Sequence, residues 1–423
     1  MPRNYYTGEY YFNPHVDKPI EQIYHDMNVF SGEVFMNEPH MFNRGIDFMV
    51  GMPPVYFEGK FVRGFFISQG VDPLCRMIPD LTDYFIPIAF SMTSSYPWSN
   101  EAEGYLTSYD NPHRNAWFRE NFPHRRDKYL IPLEDGDYLH EYDFCPSPLP
   151  EKDLDLCYVA RLIDLKNLPF IAKVLKLYRQ KYPKKKIKLN YITGLKFDHN
   201  FTELNDAERK EWRQVEETLT FPQDYINFYS QVYWHKALPL MYARSKVYLF
   251  GSLMEGKNRS MAEALCCNTP VLHHEEFNQY IRGNTPIVPP LSGMSAPYDP
   301  DSWADTLHLM LNNLDIFHPR AEFIKTRGRR NFLNIAIDHI DEYRNTLPHY
   351  EAGNHVNNPW LDAAIGYNYG MSLHNFLYGR RHPISQTRGV DCVKQAMDVY
   401  RRAINNAKQS ASQSTLLKDN PLL

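Results

Sequence analysis

Short apolar runs alternate with longer polar stretches through the middle of the chain, and the run length is the first clue to the fold. Between residues 41 and 138 the runs are Ile46–Val50, Gly64–Ile67, Tyr84–Phe90, Tyr105–Ser108 and Tyr129–Pro132. Each has the length of a buried parallel strand, and the intervals are of the length that helical crossovers need. Pro87 within the third run weakens it as a central strand, because proline cannot donate to a ladder. Residues 139–150 hold Pro146, Pro148 and Pro150 among polar residues and read as a linker.

A second, clearer cycle follows. Leu154–Ala160 reads as a strand, Leu168–Tyr182 as an amphipathic helix, and Ile187–Ile192 as a strand closed by Thr193 and Gly194. After a charged, helix-prone stretch come strand Tyr225–Tyr229, helix Leu238–Arg244, strand Lys246–Phe250, helix Ser260–Leu265 and strand Pro270–His273. This alternation predicts an α/β domain with a doubly wound sheet over residues 151–330. Residues 1–40 are polar and aromatic with weak periodicity, and read as an arm with one short helix near Ile20–Phe30. Residues 331–408 read as helices, at Asn331–Leu347, Leu361–Leu377 and Gly389–Lys408. The Ser- and Gln-rich residues 409–423 read as a flexible tail.

Composition narrows the partners. The chain has 423 residues, a size for which two domains are expected, and a formal net charge of −4 that calls for neither nucleic acid nor an anionic membrane. The basic run Lys184-Lys185-Lys186-Ile187-Lys188 reads as a solvated loop. The 30 Tyr and 25 Phe suit packing first and carbohydrate stacking second. None of the six Cys forms a Cys-x-x-Cys pair, so structural disulfides and zinc are not expected and a reducing, cytoplasmic setting fits. No apolar run is long enough to span a bilayer, which leaves peripheral membrane association open.

The chemistry concentrates in the segment from Phe250 to Leu265, where a strand runs through a polar loop into a helix. In a doubly wound sheet this loop lies at the C-terminal edge of the strands, where ligands bind. The helix start offers backbone N–H groups to a diphosphate, and Gly256 permits close approach. Glu255 precedes the helix and can reach a reacting sugar. Glu263 lies within it and can accept the hydroxyls of a ribose. A plainer reading of Ser260-x-x-Glu263 is a capping box that only closes the helix start.

Glu255 and Glu263, with Gly256, Ala264 and Asn268-Thr269-Pro270-Val271, resemble the E-x7-E region of glycosyltransferase family 4, the retaining "group 1" enzymes. Tyr158–Asn167 resembles that family's G-R-L-x-x-x-K-G loop, with Arg161 and Lys166 at the matching spacing, and Ile131–Asp137 resembles its I-P-N-G-V-D turn. The resemblance covers residues 128 to about 310. It implies a GT-B type fold: two Rossmann-like doubly wound domains facing a cleft, with a helical C-terminal extension. Residues 41–138 would form a shortened, divergent acceptor domain and 151–330 the nucleotide-sugar domain.

What the resemblance implies for chemistry is transfer of a hexosyl or pentosyl group from a nucleotide sugar to a glycan, lipid-linked or small-molecule acceptor, with retention. The donor would be a UDP-sugar first and a GDP-sugar second, as in polysaccharide biosynthesis. Neither metal nor cofactor is expected, since Arg161 and Lys166 would neutralise the departing diphosphate. The donor set is Arg161, Lys166, Gly194, Glu255, Gly256, Lys257, Asn258, Arg259, Ser260 and Glu263, with Glu255, Arg161 and Lys166 closest to the chemistry. On the acceptor side, Ser94, Tyr96, Asp110 and Arg114 stand where the family places other polar groups, including a His that this chain lacks. Ala160, Asn167 and Asn268 replace family glycines, and asparagine tolerates the positive φ such a turn needs. The alternatives are a GT-B sugar epimerase or phosphorylase, and a non-catalytic carbohydrate-binding protein.

Overall fold

The structure is a computed structural model of the chain. It describes residues 48–57, 59–68, 71–89, 99, 101–106, 115–116, 119–120, 127–133, 137, 139, 141, 144–193, 204–230, 237–252, 254–255, 258–275, 278–279, 290–347, 350, 352 and 389–418. The chain divides into two units: residues 1–134 with 332–423, and residues 135–331.

The first unit is built on strands β1 (Met49–Met52), β4 (Gly64–Ser68), β5 (Phe85–Ala89), β6 (Gly104–Leu106) and β7 (Tyr129–Ile131), in the order β1-β4-β5-β6-β7. From β4 to β7 the pairing is parallel, as the run lengths predict, but β1 is antiparallel to β4. The cause is the short connection between them. It is occupied by a hairpin of β2 (Val55–Phe57) and β3 (Lys60–Val62), turned at Gly59 with φ 79°, which leaves no length for a helical crossover. Pro87 does sit in a central strand. Its carbonyl accepts from Glu103 N at 2.9 Å, so its missing N–H faces the level just before β6 begins, where no ladder bond is lost. Helices α1 (Val71–Met77) and α2 (Leu81–Tyr84) link β4 to β5.

The second unit holds a fully parallel sheet of β8 (Leu154–Val159), β9 (Leu189–Thr193), β10 (Ile226–Ser230), β11 (Ser245–Phe250), β13 (Val271–His274) and β15 (Gly293–Ala296), in the order β10-β9-β8-β11-β13-β15. The strand order reverses between β8 and β11, the point at which a doubly wound sheet opens a crevice at its C-terminal edge. A separate two-stranded pair joins β12 (Met254–Glu255) to β14 (Asn278–Gln279). The helices are α3 (Leu168–Lys181), α4 (Asp206–Thr218), α5 (Ala237–Arg244), α6 (Arg259–Cys266), α7 (Pro300–Asn312) and α8 (Pro319–Thr326). Helix α3 buries Leu168, Phe170, Ile171, Val174, Leu175 and Tyr178 on one face, the 3.6-residue stripe legible in its sequence. β15 has no apolar run to announce it. It lies so close to β13 that a Cβ on Gly293 would stand 2.0 Å from the Val271 carbonyl oxygen.

Helices α9 (Arg329–His339), α10 (Asp341–Thr346) and α11 (Gly389–Lys418) complete the described elements. The single helix expected over Asn331–Leu347 breaks at Ile340, which is extended (φ −103°, ψ 96°) and fully buried. Helix α11 continues to Lys418, into the segment read as a tail. Val393, Met397 and Tyr400 of α11 lie in the same core as Phe48, Phe66 and Phe85, and Phe85 meets Tyr400 edge-on at 5.2 Å. The N-terminal arm and Leu361–Leu377 lie outside the described residues. Among the described residues no helix is long and apolar enough to cross a membrane. Both units are thus α/β bodies on largely parallel sheets, the class to which the GT-B type belongs.

Candidate donor site at the edge of the parallel sheet

Strands β8 and β11 are neighbours and parallel, so the loops leaving their C-terminal ends emerge side by side. The first carries Arg161 and Lys166. The second leads through β12 into α6. Two buried tyrosines fasten these loops. The Tyr158 hydroxyl, on β8, donates to the carbonyl of Lys166. The Tyr248 hydroxyl, on β11, lies 3.3 Å from the Val159 carbonyl oxygen and 2.8 Å from the Ser260 hydroxyl in the first turn of α6. The two rings meet edge-on at 6.1 Å, and both are buried. A buried tyrosine usually finds a partner for its hydroxyl, and here the partners are the loop after β8 and the start of α6. Gly251 completes the joint, since a Cβ there would stand 3.2 Å from the Lys166 carbonyl oxygen and 3.1 Å from the Ile171 side chain.

The loop after β8 ends in a short 3-10 turn, Asp164–Lys166, and Asn167 follows at φ 56°, ψ 45°. The turn thus keeps the left-handed conformation that a glycine would otherwise supply. Arg161 is exposed and Lys166 half-buried. Burial pushes the Lys166 ammonium down to about 8, and the nearby Arg161 charge pushes in the same direction.

The start of α6 is capped by Asn258. Its Oδ1 accepts from Met261 N at 3.0 Å and from the Ser260 hydroxyl at 2.6 Å. The first intrahelical bond runs from Ala262 N to the Asn258 carbonyl at 3.1 Å, so the N–H groups of Arg259 and Ser260 precede the helical ladder and face the loop end. This arrangement replaces the capping-box reading, because Ser260 sits inside the first turn and not at the cap. Glu263 is 2% exposed. Its Oε2 accepts from the Tyr242 hydroxyl at 2.9 Å, and Arg259 Nε stands 3.8 Å from its Oε1. Asn268, just past the helix, has φ 61°, as expected for a residue in the place of a glycine.

Glu255 lies in β12 with its backbone paired to Gln279, a pairing that nothing in the sequence suggested. Gly194, Gly256, Lys257, Ser94, Tyr96, Asp110 and Arg114 lie outside the described residues. The structure groups Asn258, Arg259, Ser260 and Glu263 at the start of α6 and sets Arg161 beside Lys166 in the loop after the neighbouring strand β8. Sequence reasoning missed Tyr158, Tyr242 and Tyr248, which hold them; a hydroxyl-bearing residue in each buried strand or helix face was the available signal. Among the described residues no group of three or more His, Cys, Asp or Glu could hold a metal ion.

Residues 141–325 match the family model described as glycosyl transferases group 1. No curated protein sequence matches the chain. Similar solved structures include the pneumococcal O-GlcNAc transferase GtfA in complex with UDP and GlcNAc, with 14% identity over 64% of this chain and 55% of that one, and a TM-score of 0.41. Another is a mutant of TarM from S. aureus, solved with Fondaparinux, alpha-GlcNAc-glycerol and UDP, with 12% identity over 64% and 54%, and a TM-score of 0.44. A third is the sucrose-phosphate synthase of Thermosynechococcus elongatus, with 15% identity over 59% and 65%, and a TM-score of 0.39. The chain spans just over half the length of the first two. Over residues 141–325, the chain is similar to the glycosyl transferases group 1 family.

Proposed function

We propose that the protein transfers a sugar from a nucleotide-sugar donor to a carbohydrate or glycoconjugate acceptor, with the donor diphosphate held between the Arg161–Lys166 loop and the start of α6. The observation that carries this reading is the place of the Tyr248 hydroxyl, on β11, 2.8 Å from the Ser260 hydroxyl at the start of α6 and 3.3 Å from the Val159 carbonyl oxygen at the end of β8, which sets both at one sheet edge. As the bond between the sugar and the diphosphate breaks, negative charge grows on the leaving oxygens. Cations already in place stabilise that charge more than they stabilise the ground state. Arg161 offers a planar fork to the phosphates and Lys166 a point charge.

Glu255 holds the sugar hydroxyls at the reacting centre. Glu263, through the Oε1 that faces Arg259, meets the ribose. The acceptor hydroxyl attacks the anomeric carbon on the face the diphosphate leaves, and the departing phosphate takes its proton, which retains configuration. No protein nucleophile is required by this route. The second unit carries the donor, and the first, with Ser94, Tyr96, Asp110 and Arg114, carries the acceptor.

A thermal-shift panel of UDP, GDP and ADP with their sugars tests the reading. One nucleotide should stabilise the wild-type chain by about 2.7 kcal/mol at a hundredfold excess over its Kd. Arg161→Ala should remove most of that stabilisation. Glu255→Ala should keep nucleotide binding and lose turnover of the sugar donor. A chain that responds to no nucleotide is a carbohydrate-binding protein or a different enzyme. Isomerised donor without transfer would identify an epimerase.

A further inference from the structure

At the opposite end of α6 from the candidate donor site, three cysteines converge from two distant parts of the chain. Cys267 caps the helix C-terminus, and its thiol lies 3.8 Å from the carbonyl oxygen of Phe144, the residue just before Cys145. The neighbouring Cys266 thiol lies 3.7 Å from the Glu141 carbonyl oxygen. Cys145 itself lies 3.5 Å from the Pro146 carbonyl oxygen, and its sulfur is in hydrogen-bond contact with that of Cys267. Cys267 is fully buried, and Cys145, 8% exposed, is buried less completely.

Two cations face this pair. Arg320, on α8, donates to the Cys266 carbonyl at 2.8 Å and lies 3.6 Å from the Cys266 sulfur. Lys152, just before β8, donates to the carbonyls of Ser245 at 2.7 Å and Ala243 at 3.2 Å and to the Thr269 hydroxyl at 3.3 Å. The hydrogen bond from Cys267 draws the Cys145 thiol below its ordinary range against the opposing effect of burial, and the Arg320 and Lys152 charges add to the lowering. Burial pushes Cys267 and Cys266 the other way. Thiolate character is thus favoured on Cys145 over Cys267, which is the setting of a reactive cysteine with a resolving partner.

We propose that Cys145 and Cys267 are an oxidation site, a peroxide-responsive thiol pair that closes a disulfide between the segment ahead of β8 and the C-terminal end of α6. The Cys145 thiolate attacks a peroxide oxygen; the S–O bond forms, the O–O bond breaks, and hydroxide leaves. Cys267 gives its proton to that hydroxide and attacks the sulfenic sulfur. The S–S bond forms, the S–O bond breaks, and the oxygen departs as hydroxide, which takes the proton that Cys145 released on ionising and becomes the second water. Two thiols and one hydrogen peroxide yield one disulfide and two waters, and a dithiol reductant reverses the net change. The site is independent of the glycosyl-transfer reading, but it seizes the far end of the helix whose first turn faces the donor loop.

Peptide mapping of the full chain tests it. After treatment with hydrogen peroxide, blocking of free thiols and digestion with trypsin without reductant, peptides 129–152 and 260–282 should appear joined, lighter by two hydrogens than their sum. Cys266 shares the second peptide, so the link must survive in Cys266→Ser and vanish in Cys267→Ser. In Cys267→Ser, or in wild type quenched early, a dimedone probe should label Cys145. Unlinked peptides in oxidised wild-type protein, or a link that persists in Cys267→Ser, overturns the proposal, and the wild-type result alone decides if a variant does not fold.

Discussion

Lys166 is held where its charge is costly, and that has a measurable consequence. Its ammonium titrates near 8 because it is half-buried beside Arg161. An anion at the site favours the charged form and raises that value. Below pH 8 the lysine is protonated in both states and affinity is full. As pH rises through 8 the unliganded protein loses the proton, and binding must take it back. UDP affinity should therefore fall by up to about tenfold per pH unit above 8, with proton uptake on binding, until the bound-state value is passed. A terminal phosphate with its second ionisation near ~6 is already fully charged there, so the slope belongs to the protein. Calorimetry in buffers of differing ionisation enthalpy reads the uptake directly. Lys166→Met should flatten the profile, and an unchanged slope in that variant would remove Lys166 from the site.

Among the elements, the connection between β3 and β4 shows how the first unit closes around its own C-terminal helices. Arg63 donates to both carboxylate oxygens of Glu103 at 2.8 and 3.0 Å, to Glu342 through Nε at 3.1 Å, and to the Thr82 carbonyl at 3.0 Å. One half-buried guanidinium thereby joins the start of β6, the body of α2 and helix α10. Arg63→Ala leaves two carboxylates facing each other with their shared cation gone. It should cost about 2–3 kcal/mol in urea unfolding, and Glu342→Gln should cost less, since it leaves the Glu103 pair intact. Equal, near-zero costs would make the cluster a solvated surface pair.

The same scale separates what was legible beforehand from what was not. Strands β8 and β11 were legible because most of their length is buried and carries an apolar run, as in Leu156–Val159 and Val247–Phe250. The loop leaving β8 carries Arg161 and Lys166, and Glu263 lies in α6 after the loop that leaves β11. The reading fails where structure is made by backbone closeness with little apolar content. β15 is written Gly-Met-Ser-Ala, and the β12–β14 pair is held by ladder bonds across distant segments. The orientation of β1 was hidden for a related reason, because a strand's apolar run does not record its direction; only the hairpin in the connection does. The tyrosine hydroxyls escaped notice because residue type alone cannot tell a packing ring from a ring whose tip holds a loop.

At the scale of the whole molecule, the two units are interleaved in sequence: the second is one continuous stretch, 135–331, and the first is assembled from both ends of the chain. The first unit therefore depends on residues that arrive last. Val393 (2% exposed), Met397 (0%) and Tyr400 (3%) of α11 fill its core against Phe85 and the helices beside it. Burying such side chains contributes roughly 1.5–3 kcal/mol each, so ending the chain before α11 removes on the order of 5–8 kcal/mol, comparable to the entire stability of a typical domain. The second unit makes its sheet, its α6 cap and the tyrosine bridges from its own residues. A chain ending at residue 388 should then lose its first unit and keep its second. Calorimetry should show one transition in place of two, limited proteolysis should leave a fragment near 135–331, and the nucleotide that stabilises the full chain should still raise the remaining transition. Loss of both transitions together would mean that the two units fold as one, and loss of the nucleotide response alone would mean that the donor site draws on residues outside the second unit.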